Sequence, residues 1–269
     1  MSILSKFLLT DRVAIVQGAG SGMGKSVARA LGEAGADVVV AGINVYDKTK
    51  TIEDLDAVAT HIRAVGRKTL SVAVDVRDSQ QIADMVEKAI ASFGRIDILV
   101  NAAGGSFAAP ALDISDNGWD AVLKENLKST FMCCKAVGKV MMSQKRGSII
   151  NFASMAGRGS SAGNAHYGAA KAGIINLTQS LAEEWGPYNV RVNALAPGTI
   201  KSEGWMRVQA QWVGQKEADI AKDIPLGRLG VPDDVAGVAV FLASDASEYI
   251  TGQTMNVNGG EKGYYGWRV

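Results

Sequence analysis

Histidine and cysteine are scarce in this chain, and each scarcity excludes a class of protein. Only 2 histidines and 2 cysteines occur among 269 residues. No paired spacing of metal ligands surrounds them, so we expect no catalytic metal. Cys133 and Cys134 are adjacent and cannot form an ordinary disulfide with each other. We expect them to be buried thiols of a helix in a reducing compartment, and we expect the protein to be cytoplasmic.

An excess of one charge sign and long apolar runs are also missing. The 28 basic and 27 acidic residues leave a net charge of +1, which gives no electrostatic footprint for nucleic acid. No run approaches the roughly eighteen apolar residues that a membrane-spanning helix needs. The first twelve residues are too short and too interrupted by charge for a secretory signal. We therefore expect neither a nucleic-acid partner nor membrane association.

What the chain does contain is a series of short apolar runs that alternate with segments of helical periodicity. The runs lie at 13–17, 37–41, 69–74, 96–101, 148–153, 190–195 and 254–257. This alternation is typical of a parallel sheet covered by helices on both faces. No Pro/Ser-rich linker, repeat or charge block divides the chain. We predict an α/β fold, a doubly wound seven-stranded parallel sheet, in a single domain over residues 1–269.

A glycine-rich segment follows the first apolar run directly. It reads Gly18-Ala19-Gly20-Ser21-Gly22-Met23-Gly24, and helical character begins at Lys25. Glycines allow a tight turn and a close approach of the backbone to a pyrophosphate, which binds at the positive end of the following helix. Strand, glycine turn and helix in this order predict a dinucleotide-binding unit.

Tyr167 and Lys171 are four residues apart in a segment, 165–182, with helical periodicity, and Ser154 lies upstream. Residues four apart share one face of a helix. A phenol has an ordinary pKa of about 10, and a nearby fixed positive charge lowers it. Tyr167 could therefore exchange a proton with an alcohol or carbonyl oxygen. On its own the pair could equally be a chance feature of an amphipathic helix.

Together these motifs resemble the short-chain dehydrogenase/reductase family, and the likeness covers nearly the whole chain. The glycine spacing matches, with Gln17 where the family usually has Thr, and Asn101 to Gly104 matches with Ala102 in place of a second Asn. Four positions match the family's catalytic tetrad: Asn126, Ser154, Tyr167 and Lys171. Pro197-Gly198 matches its turn beside the nicotinamide. The resemblance implies a Rossmann fold and an NAD(P)-dependent oxidoreductase.

The resemblance also implies a role for each matched residue. Tyr167 is the general acid/base, and Ser154 hydrogen-bonds the substrate oxygen. Lys171 binds the nicotinamide ribose and lowers the pKa of Tyr167, and Asn126 anchors a water that relays the proton. The expected cofactor-binding residues are Gly18, Ser21, Gly22, Met23, Gly24, Asn44, Asp75, Val76, Asn101, Ala103, Gly104, Tyr167, Lys171, Pro197, Gly198 and Ile200. For Asp75, which is expected to contact the adenine, the alternative is a cap on the next helix.

The sequence leaves the choice between NAD and NADP open. NAD-preferring members of the family carry an acidic residue at the end of the second strand, and here Gly42 stands at that position. Loss of the carboxylate removes repulsion against a 2′-phosphate. The basic residues typical of NADP binding are missing as well, since Ile43 and Ser21 occupy their positions. Asn44, Lys48 or Lys50 could still reach a 2′-phosphate.

Three functions are compatible with these motifs. The first is interconversion of a secondary alcohol and a ketone. The second is reduction of an enoyl thioester, because Glu184-Trp185-Gly186 and the segment 197–204 resemble 2,4-dienoyl-CoA reductases. That branch generally lacks the tyrosine that this chain has at Tyr167, so the first function is favoured. The third is a dinucleotide-binding scaffold without turnover, which would not need the intact proton-transfer residues.

Two further segments carry expectations about the substrate and about assembly. The family forms a lid over its substrate in the region of 199–224, where Trp205, Met206, Val208, Trp212 and Val213 lie; the alternative is a surface helix pair. The family is commonly dimeric or tetrameric, so we expect a homo-oligomer. The aromatic tail, 264–269, is expected to pack either on a neighbouring subunit or within its own subunit. His166 does not face Tyr167 on a helix and is expected to be structural.

Overall fold

Seven parallel strands form one sheet in a computed structural model that describes residues 2–209 and 217–261. The strands are β1 Val13–Gln17, β2 Asp37–Gly42, β3 Thr69–Ala73, β4 Ile98–Asn101, β5 Gly147–Phe152, β6 Val190–Pro197 and β7 Thr254–Val257. Their order across the sheet is β3-β2-β1-β4-β5-β6-β7, and each pair of neighbours is parallel. Each predicted apolar run overlaps one of these strands, and the ends differ by at most two residues.

Helices connect the strands and cover both faces of the sheet. They are α1 Gly22–Glu33, α2 Thr51–Ala64, α3 Ser79–Phe93, α4 Asp116–Leu123, α5 Ser129–Gln144, α6 Ala165–Trp185, α7 Glu203–Gln209, α8 Glu217–Lys222 and α9 Pro232–Ala243. Helix α1 begins at Gly22, three residues before the predicted start at Lys25, because the last glycines of the loop already belong to its first turn. Helix α6 extends three residues beyond the predicted end at 182.

Two hydrophobic cores lie on opposite faces of the sheet. Successive side chains of a strand point to opposite faces. Accordingly Val16 packs with Leu31 of α1 in one core, whereas Ile15 packs with Met85 of α3 and Val137 of α5 in the other. Because helices cover both faces, every residue of β1 is buried and the strand is apolar almost throughout. The predicted fold class, a doubly wound Rossmann fold, is confirmed.

The strand order also fixes the position of a large cleft. The chain leaves β1 toward β2 on one side and returns after β3 to form β4 on the other, so the connections diverge between β1 and β4. In open α/β sheets, ligands bind at the carboxyl ends of the strands at such a switch point. Here the loops after β1, β2, β4, β5 and β6 enclose a cleft of about 930 Å³.

Both cysteines lie on α5, and the sulfur of neither is bonded in a disulfide. Both are fully buried, as predicted. Burial raises the pKa of the Cys133 thiol to about 12, so it is not a thiolate at neutral pH. Within residues 2–209 and 217–261, no three or more histidine, cysteine, aspartate or glutamate side chains are grouped so that they could hold a metal ion.

The described part of the chain contains no helix with both the length and the apolar character needed to cross a bilayer. The aromatic tail at 264–269, and with it the expected subunit contact, lies outside the described residues. The same holds for Trp212 and Val213 of the expected lid.

Candidate active site

The glycine segment brings the end of β1 against the loop after β4. Gly18 has a φ of +80°, and a Cβ on it would come 2.6 Å from the backbone nitrogen of Ala103. A Cβ on Gly24 would overlap the carbonyl oxygen of Gly18. Both positions therefore require glycine for close backbone approach. The first turn of α1, whose N–H groups have no acceptor within the helix, consequently opens directly into the cleft.

Gln17, which replaces the usual threonine, bridges the same two loops. Its side-chain carbonyl oxygen accepts a hydrogen bond from the backbone N–H of Ala103. The side-chain nitrogen of Gln17 is buried, and no described residue accepts a hydrogen bond from it. This substitution therefore ties β1 to the β4 loop directly at the floor of the cleft.

A carboxylate lies at the N-terminus of α1. Glu203, at the start of α7, accepts a hydrogen bond from the backbone N–H of Gly22 at 3.1 Å. Its other oxygen lies 2.9 Å from the ammonium of Lys25. The start of a helix carries partial positive charge and favours anions. Glu203 thus occupies the kind of position that a phosphate group takes in a dinucleotide-binding unit.

Tyr167 and Lys171 lie in the first two turns of α6, on the same face. The ammonium of Lys171 is 5.4 Å from the centroid of the Tyr167 ring. It also donates a hydrogen bond of 2.7 Å to the carbonyl oxygen of Phe152 at the end of β5. A Cβ on Gly157 would come 2.6 Å from the backbone nitrogen of Ala172, so glycine there lets the β5 loop approach α6 closely.

Ser154 comes directly after β5 and lines the cleft together with Tyr167. Its hydroxyl oxygen accepts a hydrogen bond of 3.2 Å from the backbone N–H of Ala156, in a short 3-10 turn. This contact fixes the orientation of the hydroxyl group and leaves its proton available for another acceptor. The structure therefore brings Ser154 and Tyr167 to the same wall of the cleft.

Asn126 lies behind that wall, in a π-helical turn, Lys124–Lys128, that joins α4 to α5. Its amide nitrogen donates to the carbonyl oxygens of Gly105 at 2.8 Å and Val122 at 2.9 Å. Its side-chain oxygen is buried, and no described residue donates to it. A Cβ on Gly104 would overlap that oxygen and come 3.4 Å from the Lys171 ammonium. The side-chain oxygen of Asn126 and the ammonium of Lys171 therefore both lie beside Gly104.

Burial dominates the electrostatics of this group. It lowers the pKa of Lys171 to about 8, against a smaller opposing effect of the Glu125 carboxylate. Glu125 is half-buried at the edge of the cleft, and burial raises the pKa of its carboxyl group. The guanidinium of Arg77 acts in the opposite direction on that carboxyl group. Glu125 is thus a charged neighbour of Lys171 that the sequence motifs did not indicate.

Asp75 and Val76 line the cleft, as expected. The alternative, that Asp75 caps the next helix, is wrong: Asp78 caps α3 by accepting from the backbone N–H groups of Gln80 and Gln81. Asp75 instead forms a two-pronged ion pair with Arg77, at 2.8 and 2.7 Å. The hydrogen bonds from Arg77 hold the pKa of Asp75 below its ordinary value.

Asn101 is not at the cleft, contrary to expectation. Its side chain is buried at the end of β4, and its amide donates to the side-chain oxygen of Asn151 at 2.9 Å and to the sulfur of Cys134. The amide therefore links β4 to β5 and α5. Successive residues of a strand point to opposite faces, and this places Asn101 in the core next to the cysteines. Asn44 does line the cleft, although its amide is bonded to Asp54.

Ten further expected residues line the cleft, whereas Lys171 is buried and is not part of the lining. The lining includes the backbone or side chains of Gly18, Ser21, Gly22, Met23, Gly24, Ala103, Gly104, Pro197, Gly198 and Ile200. The strand β6 runs to Pro197, and a Cβ on Gly198 would come 2.7 Å from the Cβ of Asn258. The turn after β6 therefore packs closely on the segment after β7.

Further polar and aromatic groups line the cleft near Tyr167 that motif matching did not single out. Ser106 donates a hydrogen bond of 2.5 Å to the side-chain oxygen of Asn164, and both residues face the cleft. Phe107 lines the same region and packs edge-on against His166, with ring centroids 4.5 Å apart. His166 is fully buried, and burial lowers its pKa, which agrees with the structural role predicted for it.

Comparison with known proteins agrees with this geometry. Residues 18–262 match the family model described as enoyl-(acyl carrier protein) reductase. The chain is 40% identical to 2-dehydro-3-deoxy-D-gluconate 5-dehydrogenase of Escherichia coli K12, over 96% of this chain and 98% of that protein. It is 38% identical to a probable 2,4-dienoyl-CoA reductase of Bacillus subtilis, over 94% and 97%. A putative short-chain alcohol dehydrogenase of Sinorhizobium meliloti has a similar structure, with a TM-score of 0.86 and 37% identity over 95% and 98%.

The chain belongs to the short-chain dehydrogenase/reductase family. It is an oxidoreductase. The predicted class of activity, interconversion of a secondary alcohol and a ketone, is confirmed. Dehydrogenases of the family use NAD(H) or NADP(H), and the substrate is a small molecule.

Proposed function

We propose that Tyr167 transfers the proton when this enzyme oxidises a secondary alcohol or reduces the corresponding ketone. The observation that carries this proposal is the buried ammonium of Lys171, 5.4 Å from the centroid of the Tyr167 ring. A positive charge at this distance favours the phenolate and lowers the pKa of Tyr167 toward the working pH. Tyr167 then accepts the hydroxyl proton during oxidation and returns it during reduction.

Ser154 holds the substrate oxygen beside Tyr167. The Ala156 N–H fixes the serine oxygen, and the hydroxyl proton is directed to an acceptor in the cleft. A hydrogen bond from Ser154 stabilises the negative charge that develops on the substrate oxygen as a carbonyl is reduced. Ser154 is therefore a positioning and charge-stabilising group, whereas Tyr167 moves the proton.

Lys171 and Asn126 provide the route by which the proton leaves Tyr167. The side-chain oxygen of Asn126 is buried without a donor from the described residues and lies beside Gly104, as does the Lys171 ammonium. Buried polar groups of this kind are commonly satisfied by an ordered water. We propose that a water held by Asn126 takes the proton from Lys171 and passes it toward solvent.

The same cleft fits a nicotinamide dinucleotide, because its floor includes backbone at Gly18, Gly24 and Gly104, where close packing against neighbouring residues requires glycine and leaves no side chain. A bound dinucleotide supplies or accepts the hydride. We propose that the glycine loop with Ser21 and Met23 holds its phosphates and that Asp75 and Val76 contact its adenine. Lys171 of α6 and residues at the ends of β4 and β6 hold the nicotinamide end: Ala103, Gly104, Pro197, Gly198 and Ile200. Asn101 acts on this site only through the β4 backbone.

The wall of the cleft near Tyr167 favours a substrate that carries hydroxyl groups. Ser106 and Asn164 present a hydrogen-bonded polar pair on that wall, and Phe107 adds aromatic surface. Aromatic surface flanked by hydroxyl and amide groups is suited to polyhydroxylated molecules. The E. coli relative is named for a keto sugar acid, which belongs to this class. We propose a small polyol or sugar acid as the substrate.

The segment 199–224 is proposed to be a lid over this substrate. Its residues Thr199, Ile200, Ser202, Glu203, Gly204, Trp205 and Ile220 line the cleft.

We also propose a homo-oligomer, either a dimer or a tetramer. An apolar groove between α4, α5 and α6, formed by Leu123, Leu127, Phe131 and Leu177, supports a subunit contact on that face.

Substitution of Glu203 is expected to strengthen cofactor binding. In this structure the Glu203 carboxylate bonds the N–H of Gly22 and the ammonium of Lys25, and a bound phosphate would compete for the same groups. A half-exposed charged contact is worth about 1 kcal/mol, which corresponds to roughly a fivefold change in affinity. We therefore expect Glu203→Ala to lower the Kd of the dinucleotide about fivefold, measured by calorimetric titration.

The matched control for this variant is Glu217→Ala. Glu217 is the first residue of α8, and its carboxylate forms a comparable ion pair with Lys201. The Kd of Glu217→Ala for the dinucleotide should stay at the wild-type value. Weaker binding in Glu203→Ala than in the wild type would contradict the competition and would indicate that Glu203 supports the bound cofactor.

The proposed function is tested by assaying the purified protein with polyols, sugar acids, simple secondary alcohols, the corresponding ketones and a 2,4-dienoyl thioester. NAD(H) and NADP(H) are supplied separately, and the absorbance of the reduced nicotinamide is followed. We expect turnover with hydroxylated substrates or their ketones. Turnover with the dienoyl thioester alone would overturn the proposal in favour of enoyl-thioester reduction, and cofactor binding without any turnover would favour a scaffold.

A further inference from the structure

The end of β2 has a backbone conformation that disfavours the acidic residue that binds ribose in NAD-preferring relatives. Gly42 stands at this position with a φ of +151°, a conformation that side chains rarely adopt. A Cβ on Gly42 would come 3.4 Å from the backbone nitrogen of Gly18. The backbone of β2 thus lies close against the glycine loop, and any carboxylate for the ribose must come from another element.

Helix α2 brings a carboxylate to the same place. Asp54, in the first turns of α2, lines the cleft together with Gly20 and Gly42. The Cβ of Asp54 lies 3.6 Å from the position that a Cβ on Gly20 would take. Asp54 is therefore next to Gly20, which directly follows the two loop residues that contact the end of β2, Gly18 and Ala19. It is twelve residues further along the chain than Gly42.

Asn44 holds the Asp54 carboxylate in position. Its amide nitrogen donates to Asp54 Oδ2 at 2.7 Å, and its backbone N–H donates to the hydroxyl of Thr51 at 3.0 Å. Its side-chain oxygen accepts from the backbone N–H groups of Tyr46 and Asp47. Asn44 is thus committed to the loop. An ionised carboxylate accepts about four hydrogen bonds, so the bond from Asn44 leaves Asp54 able to accept one from a ribose hydroxyl.

Two lysines of the same loop carry positive charge, which would attract the 2′-phosphate of NADP and oppose the effect of Asp54. Lys50 lines the cleft, and Lys48 is close enough to Asp75 to lower the pKa of that carboxyl group. Both lysines are exposed, and exposed charges contribute little because water and salt screen them. Asp54 is half-buried and held by a hydrogen bond, so its repulsion of a 2′-phosphate is less screened.

We infer that Asp54 replaces the missing carboxylate of β2, accepts a hydrogen bond from the 2′-hydroxyl of the adenosine ribose, and makes this enzyme prefer NAD(H) to NADP(H). The inference rests on the proposed function, since it requires a nicotinamide dinucleotide in the cleft. It explains why neither the acidic residue at the end of β2 nor the basic residues typical of NADP binding occur in the sequence. The discriminating residue lies on the next helix.

Calorimetric titration of NAD⁺ and of NADP⁺ into the protein tests the inference without any substrate. The wild type should bind NAD⁺ at least about tenfold more tightly, since one hydrogen bond to a charged group is worth about 1.5 kcal/mol or more. Asp54→Asn keeps the shape and the bond to Asn44 but removes the charge. It should reduce the NAD⁺ preference about tenfold, with weaker NAD⁺ binding and stronger NADP⁺ binding.

Asp56→Asn is the matched control. Asp56 lies on the same helix, is exposed, and accepts a hydrogen bond from Ser71 at 2.6 Å. Asp56→Asn should keep the wild-type preference for NAD⁺ over NADP⁺. Thermal melts of all three proteins check that the fold is retained.

Equal or tighter binding of NADP⁺ by the wild type, or an unchanged preference in Asp54→Asn, would overturn the inference and leave the proposed function intact. Loss of NADP⁺ binding in Lys48→Ala or Lys50→Ala of such a protein would assign the preference to these lysines instead. If neither dinucleotide bound to the wild type, the proposed function itself would be wrong.

Discussion

Tyr167→Phe is expected to lower kcat by roughly 10² to 10⁴, the range that general acid–base groups contribute. The variant loses only the phenol oxygen, so the ring keeps its place near the Lys171 ammonium. The Kd of the dinucleotide should therefore change by no more than about twofold, and the free energy of unfolding by less than about 1 kcal/mol. Steady-state kinetics with the best substrate of the panel, calorimetry and chemical denaturation measure the three quantities.

Tyr188→Phe is the control for this variant, because Tyr188 lies just after α6 and is 47% exposed. It should keep wild-type kcat. If Tyr167→Phe retained more than about a tenth of the wild-type kcat, the proton would have to come from another group, and the assignment of Tyr167 would be wrong.

Local motifs explain why much of this molecule could be predicted from its sequence. Burial on both faces makes the central strands mostly apolar, so they are visible as short runs. The glycine loop and the pair Tyr167 and Lys171 depend on residues within a few positions of each other, and the helical period alone places that pair on one face. These are the elements for which sequence and structure agree most closely.

The remaining features depend on contacts between distant segments. Glu203 reaches the N–H of Gly22 across 181 residues, and no local pattern marks a carboxylate for that position. Asn101 was expected at the cleft, but its partners Cys134 and Asn151 come from other elements and hold it in the core. Asp54 had no motif because its role depends on the path of the loop after β2. Asn126 lies in a π-helical turn of the kind often found at functional sites, and the motif around it did not predict that turn.

Lys171→Met is expected to reduce activity and to stabilise the protein without its cofactor. The kcat should fall at least about 100-fold, because Tyr167 loses the positive charge that lowers its pKa and the proton loses its exit. Stability should change in the opposite direction. Burial lowers the pKa of Lys171 from 10.5 to about 8, so the folded state disfavours the ammonium that the unfolded chain carries.

The sign of this effect follows from proton linkage. Between a folded pKa of about 8 and an unfolded pKa of 10.5, the unfolded state binds more protons, so stability rises with pH through this window. Below about pH 8 the full destabilisation is present, on the order of 3 kcal/mol. Loss of the hydrogen bond to the Phe152 carbonyl offsets about 1 kcal/mol. Lys171→Met should therefore be more stable than the wild type by about 2 kcal/mol at neutral pH.

Chemical denaturation at about pH 7 and about pH 10 distinguishes this mechanism from a simple packing effect. The advantage of Lys171→Met should be largest at the lower pH and should shrink or disappear at the higher one, where the wild type folds with a neutral lysine. Lys139→Met, at an exposed position of α5, is the control and should show no such change. An advantage independent of pH would indicate that the methionine simply packs better. A variant less stable than the wild type at both pH values would mean that Lys171 stabilises the fold. The proposed destabilisation by its buried charge would then be wrong.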